Sequence, residues 1–125
     1  MIELVLGWPP KELSPNARLH WAQLARAKKK YREACWATTL EQQPGPVPTG
    51  QLVLELEFFP PNRRTHDRDN LTARMKAGLD GMADALKIDD SRFSTVVVKV
   101  ATDTIGGFVR VRIQGEKTWR PRNTT

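Results

Sequence analysis

The sequence is poor in cysteine, with Cys35 alone among its 125 residues. A single thiol excludes an intrachain disulfide, so the fold must be stable without covalent cross-links, as suits a reducing compartment. Cys35 lies in an apolar stretch and is predicted to be a buried core side chain. The N-terminal apolar run is short, contains Glu3 and has no basic region before it, and we expect no signal peptide.

Long apolar runs and the usual small-molecule signatures are also missing. No run approaches the roughly 20 residues that a membrane span requires, so we expect a soluble, cytoplasmic protein. The histidines and the cysteine have no zinc-site spacing, and no Walker loop or dinucleotide-binding fingerprint occurs. An EF-hand is excluded because Leu71 stands where that loop needs its next oxygen ligand. We therefore expect neither a membrane partner nor a small-molecule substrate.

Acidic residues are outnumbered by basic ones, 14 against 20, which gives a net charge of +6 and a pI near 9.9. A balance of this kind favours a polyanionic partner, with nucleic acid first. The length fits one domain, and the 39% hydrophobic content is enough for a core.

Hydrophobic periodicity predicts the order β-α-β-α-β-β, with strands at 2–6, 52–59, 93–102 and 108–114 and helices at 20–40 and 70–86. This is an α+β fold, a single domain in which a small mixed sheet packs against two helices. Two glycines in the 104–107 turn predict a hairpin between the last two strands. We expect the folded domain to cover residues 1–115, followed by a basic, flexible tail at 116–125. The predicted stripe of the first helix is Leu24, Ala27, Tyr31, Ala34 and Thr38.

Aspartates gather at both ends of the second predicted helix. Asp67 and Asp69 share one side of an extended segment, and Asp90 follows the helix. If the strands before and after this helix are neighbours, the chain can bring Asp90 back to the other two. Three clustered carboxylates would repel one another unless they held a hard cation, which predicts Mg²⁺, with Mn²⁺ as a substitute, acting on a phosphodiester.

Simpler roles exist for the same acids. Asp69 or Asn70 could serve as the helix N-cap. Asp67 could pair on the surface with Arg63 or Arg64. Spacing does not separate these roles from metal binding.

Basic residues surround the acids and also form a run without any acid between residues 18 and 32. Such a run is usually a solvated helix face, but its unbalanced sign also suits a phosphate backbone. Lys76 could form a helix salt bridge with Asp80 or could stabilise charge in a transition state. The predicted DNA contacts are Arg18, Arg26, Lys28, Lys29, Lys30, Arg63, Arg64, Arg68 and Arg74.

Together, the motifs WPPKELSPNARLHW, RRTHDRDNL, GLDGMADAL and IDDSRF, with Lys76, resemble the RusA family of Holliday-junction resolvases, many of them carried by phages and prophages. The resemblance runs from about Leu6 to Phe93 and implies a Mg²⁺-dependent endonuclease that acts as a homodimer on four-way DNA junctions. It implies catalytic roles for Asp67, Asp69, Asp90 and Lys76. In the founding member the lysine stands where this chain has Ala73, so Arg74 competes with Lys76 for that role.

Two other functions fit the same sequence. One is a Mg²⁺-dependent nuclease for flaps or replication forks, because the acids do not specify the shape of the substrate. The other is a basic DNA-binding accessory protein without chemistry. A degenerate relic of a nuclease fits less well, because the acids are intact.

Overall fold

The computed structural model describes residues 1–102 and 105–121 and confirms an α+β domain with a four-stranded mixed sheet and two helices. Its elements follow the predicted order: β1 (Ile2–Gly7), α1 (Trp21–Glu41), β2 (Leu52–Phe59), α2 (Arg68–Leu86), β3 (Phe93–Val100) and β4 (Phe108–Gly115). Short 3₁₀ turns precede α1 at Lys11–Leu13 and β3 at Asp90–Arg92.

The strands lie in the order β1-β4-β2-β3. β2 pairs in parallel with β3 and antiparallel with β4, and β4 also pairs antiparallel with β1. The predicted β3–β4 hairpin is therefore wrong, because β2 lies between the two strands. β2 is the most continuously buried strand, and a central place covers more of it than an edge would. β3 ends at Val100, and the predicted 104–107 turn begins at residue 104, which lies outside the described residues.

Alternate residues of the strands point towards both helices and form the core, among them Leu54, Leu56 and Phe58. The opposite face carries charge: Arg110 lies within ion-pair distance of both Glu3 and Glu57. This arrangement keeps the uncovered face of the sheet polar.

The C-terminal segment begins within the packed domain. The indole Nε1 of Trp119 donates a 2.8 Å hydrogen bond to Glu55 Oε1 on the uncovered face of the sheet. Trp119, which falls in the predicted tail, therefore contacts the sheet. Residues 122–125 of the predicted tail lie outside the described residues.

α1 buries a stripe slightly different from the predicted one. Tyr31, Cys35 and Thr39 are buried, while Ala34 is exposed and Thr38 is partly exposed. Because α1 packs chiefly against α2, its buried face is set by that helix rather than by the sheet. The prediction that Cys35 is a core residue is confirmed.

Two glycines of α2 let α1 approach closely. A Cβ atom at Gly81 would lie 2.1 Å from the backbone oxygen of Arg32, and one at Gly78 would lie 2.5 Å from the Tyr31 ring. Side chains at these positions would push the helices apart, so the GLDG segment is needed for packing.

Within residues 1–102 and 105–121, no helix combines the length and apolar character needed to cross a bilayer.

Candidate functional site

Asp67 and Asp69 lie at the edge of the sheet where the parallel strands β2 and β3 both end, which we call the carboxyl edge. Asp67 is the N-cap of α2, and its Oδ1 accepts a 2.9 Å hydrogen bond from the Asp69 amide. The prediction that Asp69 or Asn70 is the cap is wrong, because α2 begins at Arg68. Both carboxylates are exposed in the first turn region, so each has oxygen atoms available to a ligand.

Asp90 lies at the opposite edge of the sheet. It starts the turn that leads into β3, and there Arg92 donates a 3.0 Å hydrogen bond to the Gly50 carbonyl, just before β2 begins. Between Asp67 and Asp90 runs α2, whose 19 residues span about 28 Å at 1.5 Å per residue. The condition that β2 and β3 are neighbours is met, but the two strands are parallel. The connection therefore runs from one end of the strands to the other and does not return Asp90 to Asp67.

One described chain therefore supplies two carboxylates at the carboxyl edge and the third elsewhere. Consistent with this, residues 1–102 and 105–121 contain no group of three or more His, Cys, Asp or Glu side chains placed to hold a metal ion. Asp89, next to Asp90, has a structural role because its Oδ1 accepts a 2.9 Å hydrogen bond from the Ser91 amide. That hydrogen bond holds the pKa of Asp89 below its usual range.

A basic cleft of about 420 Å³ opens at the carboxyl edge, beside Asp67 and Asp69. Arg63, Arg64 and Arg68 line it together with the end of β3. Across the described ranges, none of these three arginines forms an ion pair, so the alternative pairing of Asp67 with Arg63 or Arg64 is not seen. Unpaired guanidinium groups beside a helix N-terminus suit a phosphate.

His66 links this cleft to the N-terminal loop, a contact that the sequence did not reveal. Its ring packs edge-on against Trp8, with centroids 5.6 Å apart, and its Nε2 lies 3.2 Å from Asn62 Oδ1. Burial, together with Arg74 and Arg64, lowers the pKa of His66 below its usual range. Trp8 also packs edge-on against Phe58, so the core directly supports this contact.

Arg74 binds the same loop, which follows β1 and contains Trp8, Pro9 and Pro10. Its Nη2 donates a 2.6 Å hydrogen bond to the Pro9 carbonyl, its Nε donates to the Pro10 carbonyl, and its guanidinium lies 5.9 Å from the Trp8 ring centroid. Burial lowers the pKa of Arg74. Arg74 is thus a positioning residue, which weakens its predicted role as a DNA contact and as the cation beside the acids.

Lys76, by contrast, is exposed. It lines a groove of about 310 Å³ between α1 and α2, together with Ser14, Lys28 and Asp80. In the described part of the chain Lys76 and Asp80 do not form the ion pair that their spacing allowed. Lys76 stands seven positions after Asp69, so both lie on nearly the same side of α2 about two turns apart.

The basic residues of α1 divide into two groups. Arg26, Lys28, Lys29 and Lys30 are exposed, as is Arg18 in the loop before the helix. Arg32 instead pairs with Asp84 of α2. Of this exposed group, Lys28 lines the groove that also contains Lys76.

No family model matches this chain. The chain is similar to an uncharacterized protein of Xylella fastidiosa (strain Temecula1), with 46% identity over 99 residues, which covers 74% of this chain and 63% of the relative. The chain thus spans less than two thirds of the length of that relative.

Proposed function

We propose that this chain is a Mg²⁺-dependent endonuclease of the RusA type that resolves four-way DNA junctions as a homodimer. The observation that supports the proposal best is the combination at the carboxyl edge. Asp67 and Asp69 are exposed beside a cleft lined by unpaired arginines, and Lys76 follows on the same side of α2. Acids for a metal and bases for phosphates thereby border one surface.

The two carboxylates that one chain places at the carboxyl edge, Asp67 and Asp69, fit Mg²⁺. Mg²⁺ is usually held by one or two carboxylates, retains waters and accepts phosphate oxygens as further ligands. Asp67 uses one oxygen to cap α2 and keeps the other, and within the described residues no group donates a hydrogen bond to the carboxylate of Asp69. When bound, such a cation lowers the pKa of a water and neutralises phosphodiester charge.

The protein's own groups then bind and orient the DNA. Arg63, Arg64 and Arg68 hold backbone phosphates in the cleft, and the N-terminus of α2 adds a favourable electrostatic field for the same anions. Lys76 stabilises the negative charge that develops on the phosphate, while Arg74 fixes the loop beside it. Lys28 and the other exposed bases of α1 contact the flanking duplex arms.

Asp90 enters this site from a second chain. Because Asp90 and Asp67 lie at opposite edges of the sheet in one chain, a two-fold dimer with antiparallel sheets places Asp90 of one copy at the carboxyl edge of the other. Such a dimer has two equivalent sites, and a four-way junction needs two nicks.

The outer edge of β3 is the surface that suits such a dimer. β3 pairs only with β2 within the described ranges, and Val96 on it is 49% exposed. The outer edge of β1 is instead closed by Gln42, whose side-chain amide bonds to both the nitrogen and the oxygen of Val5. An open, valine-rich edge invites pairing with another strand.

Cleavage of labelled DNA tests the proposed activity. The wild type, with Mg²⁺, should nick synthetic four-way junctions in preference to flaps and plain duplexes. Asp67→Asn, Asp69→Asn and Asp90→Asn should lose cleavage and retain junction binding, whereas Asp89→Asn should cut normally. Equal cutting of all three substrates would remove the junction specificity, and no cutting with either Mg²⁺ or Mn²⁺ would favour a DNA-binding accessory protein.

A mixing experiment tests where Asp90 acts. Asp67→Asn and Asp90→Asn proteins, each inactive alone, are unfolded and refolded together so that mixed dimers form. If Asp90 acts on the partner's site, the mixed dimer has one intact site and nicking returns. If all three aspartates act within one chain, every site in the mixture carries a substitution and no activity appears.

A further inference from the structure

Trp21 is the most exposed of the four tryptophans. It is the first residue of α1, and it is 76% exposed. Tryptophan is enriched at binding interfaces, because its ring combines a large apolar surface with a polar N–H group.

The imidazole of His20 lies beside this ring. As the N-cap of α1, His20 accepts a 3.2 Å hydrogen bond from the Ala22 amide at Nδ1, which fixes the imidazole relative to the helix. The imidazole lies 5.5 Å from the Trp21 ring, centroid to centroid, with the two planes tilted by 35°. The two rings together offer one aromatic surface at the start of α1.

That surface lies at the same end of the molecule as Asp67 and Asp69. Leu24, one turn after Trp21, lines the groove that also contains Ala73 and Lys76 of α2. The loop before α1 is tied to the first turn of α2, because Asn70 donates a 2.8 Å hydrogen bond to Ser14 Oγ. The N-termini of both helices therefore lie side by side.

Cations flank the aromatic surface. Arg18 precedes it in the loop, and Arg26 and Lys28 follow it on α1, all three exposed. Exposed aromatic rings among cations bind unpaired nucleic acid, because the cations hold phosphates and the rings stack on bases. A paired base keeps both faces covered within its duplex and offers no comparable contact.

We propose that Trp21 and His20 form a stacking platform for an unpaired base of branched DNA bound along the groove between α1 and α2. The proposal depends on the DNA binding in the proposed function but not on cleavage. The charge around the platform favours DNA over an apolar protein partner.

Binding measured in EDTA tests the platform without any cleavage. Fluorescence anisotropy compares three DNAs of equal length: a single strand, a duplex with unpaired bases and a fully paired duplex. Trp21→Ala should weaken binding of the first two by about 5- to 100-fold and change the paired duplex less than about two-fold. Trp21→Phe should lose less, since a smaller ring still stacks.

Trp36→Ala is the matched control, because Trp36 is also an exposed tryptophan of α1, at 46%, but lies four turns further along the helix. It should bind all three DNAs like the wild type. Equal weakening on all three DNAs by Trp21→Ala, or none, would overturn the platform, as would a shift in oligomeric state by light scattering. A wild type that binds no DNA would instead overturn the proposed function itself.

Discussion

The guanidinium of Arg74 donates a 2.6 Å hydrogen bond to the carbonyl oxygen of Pro9, which joins α2 to the loop that follows β1. The sequence favoured Lys76 as the cation beside the acids and left Arg74 as its rival. Their surroundings now separate them, because Arg74 serves two backbone carbonyls and the Trp8 ring while Lys76 is exposed.

Replacing each cation by methionine should therefore give opposite results. Arg74→Met leaves the carbonyls of Pro9 and Pro10 without their donor and should lower the free energy of unfolding by about 1.5–3 kcal/mol. Lys76→Met should leave stability within about 0.5 kcal/mol and abolish junction cleavage. Urea unfolding and single-turnover cleavage on the same preparations measure both. A stable Arg74→Met protein that has lost only cleavage would return the catalytic role to Arg74.

Gly81 should not accept a methyl group. Alanine favours a helix over glycine by about 1 kcal/mol, but here its Cβ would lie 2.1 Å from the Arg32 carbonyl oxygen. The steric cost should win, and Gly81→Ala should lose about 1–3 kcal/mol in thermal or urea unfolding. Gly45→Ala is the control, since no atom lies within 4 Å of its Cβ position. Equal stability of the two variants would mean that the helices are further apart than described.

Two substitutions of Asp67 should distinguish its role as the cap of α2 from its proposed role as a metal ligand. Asp67→Asn keeps a side-chain oxygen that can cap α2, so its stability should match that of the wild type within a few tenths of a kcal/mol. Asp67→Ala removes the cap and should cost about 1 kcal/mol. Both should lose metal-dependent cleavage, because both lose the charge. Full activity in the asparagine variant would exclude Asp67 as a metal ligand.

Alkaline pH should destabilise the protein through two buried groups, the thiol of Cys35 and the phenolic hydroxyl of Tyr31. Burial raises the pKa of Cys35 from 9.0 to about 11 and also raises the pKa of Tyr31. Between about pH 9 and 11 the unfolded chain therefore loses protons that the folded chain keeps, so stability falls as pH rises. Each such group contributes up to about 1.4 kcal/mol per pH unit.

Urea unfolding at several pH values, with Cys35→Ala alongside the wild type, measures this slope. The variant lacks one of the two groups, so its stability should fall less steeply with pH, whatever its stability at pH 7. Identical slopes in the two proteins would show that Cys35 does not contribute.

The alternation of Leu52 to Phe59 and the periodicity of the two helices determined the order of elements, because these patterns depend on neighbours within a few residues. The identity of Cys35 as a core residue followed in the same way. Local spacing also predicted that Asp67, Asp69 and Lys76 lie near the start of one helix.

Only the tertiary structure decided the order of the strands. The glycines before β4 predicted a hairpin with β3, yet β2 takes the place between them because burying it on both sides gains more than a short connection does. The same arrangement makes β2 and β3 parallel, and Asp90 therefore lies about one helix length from Asp67. Periodicity shows which residues of one helix or strand lie on the same face, because they are close in sequence. Whether two residues on different strands lie near each other depends on the order and direction of the strands, which no local pattern encodes.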